Sequence, residues 1–174
     1  MESIKKQILF TKEVIEKRVC ELAETISRDY RGEEVVVIGV LKGAFIFMAD
    51  LIRYFSIPCL IDFVKLGSYG VGSVSSGKVV MTKDIDISIE GKNVLIAEDI
   101  LDTGLTLSFL VKLLRERNPC SLKVCAFLDK RQRREVSFEA DYVGFTIEDG
   151  FVVGYGLDFN EKFRYLPEIH IIGK

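Results

Sequence analysis

The chain has 174 residues, enough for one domain (1–174) with a sizeable core, and apolar residues make up 48% of it. A net charge of −2 argues against a protein that holds nucleic acid through overall charge, and no apolar run approaches the roughly 20 residues needed to cross a bilayer. Four cysteines without a C-x-x-C pair, together with one histidine, argue against a zinc site and read as buried free thiols in a reducing cytoplasm.

Met1 to Phe10 carries Lys5 and Lys6 but no apolar core of the kind a signal peptide needs. Thr11 can cap a helix whose apolar positions Ile15, Val19, Leu22 and Ile26 follow helical spacing, with Gly32 closing it. Val35 to Val40 is a β-branched run and predicts a buried strand. Leu41-Lys42-Gly43-Ala44 follows, then an apolar helix to about Tyr54, and Pro58 opens a second strand over Cys59 to Val64. From Gly67 to Lys78 the composition turns to glycine and serine, too long for a tight turn, and predicts a loop or lid. Its glycines lack the G-x-G-x-x-G pattern of a dinucleotide fold. Val79 to Ile89 predicts a strand or a hairpin arm, and Gly91 a turn.

The organising stretch is Val94-Leu95-Ile96-Ala97-Glu98-Asp99-Ile100-Leu101-Asp102-Thr103-Gly104-Leu105-Thr106. Its bare apolar start predicts a strand covered on both faces. Three acids then crowd the strand's carboxyl end. A hydroxyl- and glycine-containing turn follows and leads into an amphipathic helix marked by Leu107, Leu110, Val111 and Leu114. The helix N-terminus is a natural phosphate cradle, and the acids repel one another unless a cation or a polyhydroxylated ligand sits among them. A sugar phosphate with Mg²⁺ answers both demands. One N-cap would account for one acid only, and the turn lacks the Walker A pattern.

Beyond Asn118-Pro119, Leu122 to Leu128 predicts another buried strand, and Asp129-Lys130-Arg131-Gln132-Arg133-Arg134 is the strongest charge run, read as a solvated loop. Tyr142 to Ile147 and Phe151 to Leu157 predict two more strands. A polar, aromatic segment runs to Pro167, and a short strand containing His170, a structural histidine, ends the chain. Strands alternating with helices predict an α/β fold with a largely parallel central sheet. Ligands in such sheets sit at the strands' carboxyl ends, which places Glu98–Thr106, Lys42-Gly43, Lys130 and Asp158 on one rim.

At these residues the chain resembles a known family. The run VLIAEDILDTGLT is similar to the phosphoribosyl-pyrophosphate (PRPP) signature of type I phosphoribosyltransferases. Its Glu-Asp pair and Asp-Thr-Gly are similar to the purine-salvage branch, the hypoxanthine-guanine phosphoribosyltransferases. The resemblance runs from about Val35 to Arg164. It implies the type I fold, with helices flanking the sheet and a small hood built from terminal segments. It also implies transfer of ribose 5-phosphate from PRPP to N9 of hypoxanthine or guanine, a Mg²⁺ cofactor, a cytoplasmic homodimer or homotetramer, and no nucleic-acid or membrane partner.

Residue by residue, the resemblance assigns Glu98 and Asp99 to the ribose hydroxyls and Thr103, Gly104, Leu105 and Thr106 to the 5′-phosphate. Asp102 becomes the catalytic group facing N7 of the purine. Leu41, Lys42, Gly43 and Arg164 take the pyrophosphate, with Leu41–Lys42 the expected cis peptide. Read alone, Lys-Gly is an ordinary turn. Lys130 contacts the 6-oxo group, Phe151 stacks on the base, Val152 pairs with the base edge, and Glu98, Asp99 and Asp158 hold metal, Asp158 close to the base site as well. Without the resemblance Phe151 reads as core. Ser68 and Tyr69 match the pair that closes over the reacting centre. Three departures from the pattern are Gly67 for a common serine, Gly150 for a lysine and Phe159 for a tyrosine. Two other classes share the signature. One is an RNA-binding operon regulator, favoured only by the basic run. The other is a phosphoribosyltransferase for adenine, orotate or xanthine, and Lys130 argues against adenine because a cationic donor mismatches an amino group. A PRPP sensor without catalysis fits least, since Asp102 and the lid residues are both present.

Overall fold

The computed structural model describes residues 5–68, 79–148 and 150–173. In chain order the elements are β1 (Lys6–Phe10), α1 (Lys12–Asp29), β2 (Val35–Leu41), α2 (Phe45–Arg53), β3 (Cys59–Ser68), β4 (Val79–Lys83), β5 (Asn93–Leu101), α3 (Leu105–Arg115), β6 (Ser121–Asp129), a 3₁₀ turn (Arg131–Arg133), β7 (Tyr142–Thr146), β8 (Phe151–Val153) and β9 (Ile169–Ile172). A six-stranded sheet runs in the order β4-β3-β2-β5-β6-β7, parallel except for β4, which pairs antiparallel with β3. A second, antiparallel sheet of order β1-β9-β8 joins the two ends of the chain and forms the expected hood.

The uninterrupted apolar strands follow from burial on both sides of the large sheet. Val35, Val37, Leu95 and Ala97 face a core shared with Ile15, Val19 and Phe47 of α1 and α2. Val36, Ile38, Val94 and Ile96 face a core shared with Leu107, Leu110 and Leu114 of α3. Successive strand residues point to opposite faces, so a strand serving two cores has no polar positions to spare. Thr11 caps α1 through its hydroxyl, which accepts from the Val14 N–H at 3.4 Å. No helix among the described residues is long and apolar enough to cross a membrane.

Several expectations need correction. The terminal strand β1 gave no sequence signal, because four of its five residues are exposed and it is defined by pairing with β9. The second strand extends past Val64 to Ser68, carried on by its ladder with β4. Val79 to Ile89 is a strand only to Lys83. The stretch Phe151 to Leu157 is a strand only to Val153, because Gly154, Tyr155 and Gly156 all take positive φ, incompatible with an extended chain. The segment 69–78, which includes Tyr69 of the expected lid, lies outside the described residues.

The bend after β4 is tied down by Asp62, a buried acid on β3. Its Oδ2 accepts from the N–H groups of Asp86 (2.6 Å) and Ile87 (2.9 Å), and Lys83 Nζ lies 3.5 Å from Oδ1. Burial alone would push this carboxyl up. The N–H groups of Ile87, Phe63 and Asp86, with Lys83, outweigh burial and hold it below the usual range. Asp62→Ala should cost about 2–3 kcal/mol in urea unfolding, since the N–H groups of Phe63, Asp86 and Ile87 lose their acceptor. The folded pKa is depressed, so the stabilising contribution is present above the unfolded value and lost as pH falls through the folded one. Between about pH 5 and pH 3 the wild-type unfolding midpoint should therefore fall further than that of Asp62→Asn.

Candidate active site

The two-faced alternation of β5 breaks at its carboxyl end, where Ile100 joins the core that Leu95 and Ala97 face, and the Glu98 and Asp99 carboxyls come within reach of one another. Glu98 lines a cavity of about 220 Å³ together with Asp102, Thr103, Gly104 and Thr106. Asp99 lies under the loop between β2 and α2, so close that a Cβ on Gly43 would fall 1.6 Å from Asp99 Oδ2. Burial first, and then the Asp99 carboxylate beside it, push the Glu98 carboxyl well above the usual range. Burial also raises that of Asp99. The Asp99 N–H donates to Glu98 Oε1 and the Ile100 N–H to Asp99 Oδ1, two neutral donors that compensate little of the negative charge of adjacent acids packed out of water.

That donor chemistry suits Mg²⁺, a hard cation that prefers oxygen ligands. No group of three His, Cys, Asp or Glu side chains fit to hold a metal occurs among the described residues.

Beyond the acids, Gly104 takes φ 84° and starts α3 with no side-chain cap. Its positive φ and contact with the Arg134 side chain, which a Cβ would meet at 3.0 Å, call for glycine. The first turn of an α-helix has no intrahelical partners for its N–H groups, and here the Leu105 N–H donates to Thr103 Oγ1 at 3.4 Å, beside the cavity that Thr103, Gly104 and Thr106 line. Asp102 presents one oxygen to Arg133 Nη1 at 3.1 Å, while its buried Oδ1 has no hydrogen-bond partner.

The other residues singled out by sequence are placed as follows in the fold. The Leu41–Lys42 peptide is cis, as the resemblance implied. The turn at Gly156 lies against it, since a Cβ there would fall 2.1 Å from the Gly43 carbonyl oxygen. Arg164 donates from Nη1 to the Gly156 carbonyl at 2.7 Å and pairs through Nη2 with Asp158 Oδ1 at 2.8 Å. Its buried Nε has no partner. Lys130 is buried, and its Nζ donates to the Gly150 carbonyl at 2.5 Å, just before β8. Phe151 is half exposed, with Phe159 edge-on at 5.3 Å. Val152 is buried on β8, the edge strand of the hood, which leaves one side of its backbone without a ladder. Ser68 ends β3, its backbone paired with Val79.

Two features escaped the sequence reading. The basic run is not simply a solvated loop. Arg131 Nε lies 3.0 Å from Asp129, Arg134 also pairs with Asp129, and Asp129 itself is buried. The acid that opens the run was the available signal. The second is Glu161, whose carboxylate holds Lys42 Nζ at 2.8 Å across the site. A larger cleft of about 550 Å³ lies against α1, α2 and Tyr165. None of the predicted site residues lines it, so it is not where this chemistry is placed.

The sequence matches the phosphoribosyl transferase domain family over residues 7–160. It is 50% identical to a hypoxanthine-guanine phosphoribosyltransferase of Aquifex aeolicus over 169 residues, covering 97% of this chain and 95% of that one. Among solved structures, a hypoxanthine-guanine phosphoribosyltransferase of Bacillus anthracis superposes with a TM-score of 0.91 at 49% identity, covering 98% of this chain and 99% of the other. A hypoxanthine phosphoribosyltransferase of Staphylococcus aureus gives 0.92 at 44% identity, covering 99% and 96%.

Arg134→Ala should lower unfolding stability by about 3 kcal/mol, because it leaves buried Asp129 with Arg131 alone. Gly43→Ala drives a methyl group into Asp99. Its effect should fall on ligand binding more than on the melting temperature, and calorimetry beside a thermal melt separates the two.

Proposed function

The chain belongs to the phosphoribosyltransferase family, within its hypoxanthine-guanine branch, and on that premise we propose that it transfers ribose 5-phosphate from PRPP to N9 of hypoxanthine or guanine in purine salvage. The observation that carries this reading is the meeting of two chemistries at one strand end. Buried carboxyls on Glu98 and Asp99 stand beside the uncapped N-terminus of α3. A ribose 5-phosphate has hydroxyls for the first and a phosphate for the second.

In this reading Glu98 and Asp99 hold the ribose hydroxyls. The backbone of Gly104 and Leu105, with the hydroxyls of Thr103 and Thr106, grips the 5′-phosphate. The bond from ribose C1′ to the pyrophosphate oxygen breaks as C1′ bonds to N9, through a transition state of oxocarbenium character by analogy with glycoside cleavage. Negative charge builds on the departing pyrophosphate, where Lys42, Arg164 and the backbone of Leu41 and Gly43 receive it. Bound Mg²⁺ supplies further positive charge there, and Glu98, Asp99 and Asp158 would hold it.

On the base side, Phe151 stacks on the purine, Val152 pairs with its edge through the free side of β8, and Lys130 donates to the 6-oxo group. Asp102 faces N7 as general acid or base, an assignment supported by its unpartnered oxygen. Ser68 and Tyr69 belong to the segment that excludes water from the ribosyl centre. We place the chain in the cytoplasm, a setting that suits its four free cysteines, as a homodimer or homotetramer.

An ultraviolet assay with PRPP, Mg²⁺ and a panel of bases tests the reading. Hypoxanthine or guanine should be converted, adenine should not, and EDTA should abolish turnover. Conversion of uracil alone would overturn it. Asp102→Asn should lower kcat by about 10²-fold or more, and near-normal turnover would remove its acid–base role. Lys130→Gln should lose most discrimination between hypoxanthine and adenine.

A further inference from the structure

Glu161 belongs to none of the roles above, yet it touches both cations given to pyrophosphate. Its Oε2 lies 2.8 Å from Lys42 Nζ and 3.6 Å from Arg164 Nη2. Its backbone N–H donates to Asp158 Oδ2 at 2.8 Å, and Asp158 Oδ1 holds the same Arg164 nitrogen at 2.8 Å. The contact joins residues far apart in sequence, one in the loop after β2 and one in a tight turn before the final strand.

The turn's backbone makes the choice of residue informative. Phe159 and Lys162 exchange reciprocal N–H to carbonyl bonds at 3.1 Å each, which leaves Asn160 and Glu161 as the two central residues of a hairpin turn. Both have positive φ, 51° and 61°. Asn followed by Gly is the favoured pair for such a turn, and a glutamate in the second place carries a backbone penalty that glycine would avoid. The residue that would relax the turn is absent, and a carboxylate reaching the two cations stands instead.

We propose that the Glu161 carboxylate is a built-in stand-in for pyrophosphate. It holds Lys42 and Arg164 while the site is empty, and incoming phosphate oxygens must displace it. The inference rests on the phosphoribosyltransferase reading and adds a consequence to it. Glu161 weakens the hold on pyrophosphate, so the leaving product departs more readily than it would from two unopposed cations. The ion pair is solvent-exposed, with side-chain exposures of 52% and 66%, so the effect is modest.

The test is calorimetric titration of the full chain with inorganic pyrophosphate and excess Mg²⁺, comparing wild type, Glu161→Gln, Glu161→Asp and Glu161→Gly. Removing the carboxylate should tighten pyrophosphate roughly two- to fivefold, with KM for the purine unchanged. Glu161→Asp keeps the charge and shortens its reach to Lys42, so part of the tightening should survive. Glu161→Gly suits the positive φ and should match Gln in affinity with an equal or higher melting temperature, which guards against a folding artefact. Equal or weaker pyrophosphate binding in the Gln and Gly variants would overturn the stand-in. Tightening with Gln and Gly but none with Asp would mean that overall charge is at work, and would overturn it too. If wild type neither binds pyrophosphate nor forms nucleotide, the functional reading fails and this inference falls with it. If wild type does both and the variants do not differ, only this inference fails.

Discussion

The site turns on two neighbouring carboxylates, Glu98 and Asp99, crowded together at one strand end. Glu98 lines the cavity beside the start of α3, and Asp99 lies under the loop after β2, with the two carboxyls still within reach of one another. Burial raises both carboxyls, and Arg164 is the cation that acts on Asp99. A lone buried charge is costly, and two side by side cost more. The surroundings answer by bringing polar backbone and cations to the rim, not by neutralising the acids from within. Gly43 packs on one acid, the bare first turn of α3 opens beside the other, and Arg164 arrives from the far end of the chain with Asp158.

The large sheet was legible because its strands serve two cores. A run such as Val94 to Ala97 has no polar alternative at any position, so composition alone marks it. The acidic corner was legible for the complementary reason, since nothing in a buried strand explains three acids in five residues. The hood was not. Four residues of β1 are exposed, and its partner β9 lies at the other end of the chain, so no local pattern reports the pairing. The break in β8 was hidden in a similar way. Gly154, Tyr155 and Gly156 sit in an apolar run, and only their positive φ shows that the chain turns there to lie on Gly43.

The ionic links divide along the same line. Asp129 and its two arginines lie within six residues, and an acid at the end of a buried strand next to a basic run is a readable sign of internal pairing. Lys42 and Glu161 are brought together only by the fold. Their contact depends on the turn at 159–162 and on the loop after β2 meeting over the sheet, which no spacing in the sequence encodes. Local chemistry was readable from local sequence, and chemistry assembled across the fold was not.

The two-core construction of β5 also restricts how this site can change over generations. Removing one residue between Val94 and Ala97 would exchange the sides of every residue before it, sending the α1-facing set to α3 and the reverse. Keeping that packing in place would instead exchange the sides of the residues that follow, the two acids among them. Neither outcome preserves both the packing and the acids. Changes of length are therefore easier to accommodate in the loops around the rim than within this strand. The strand that carries the acids can change its side chains, but it can shift its register only by two residues at a time.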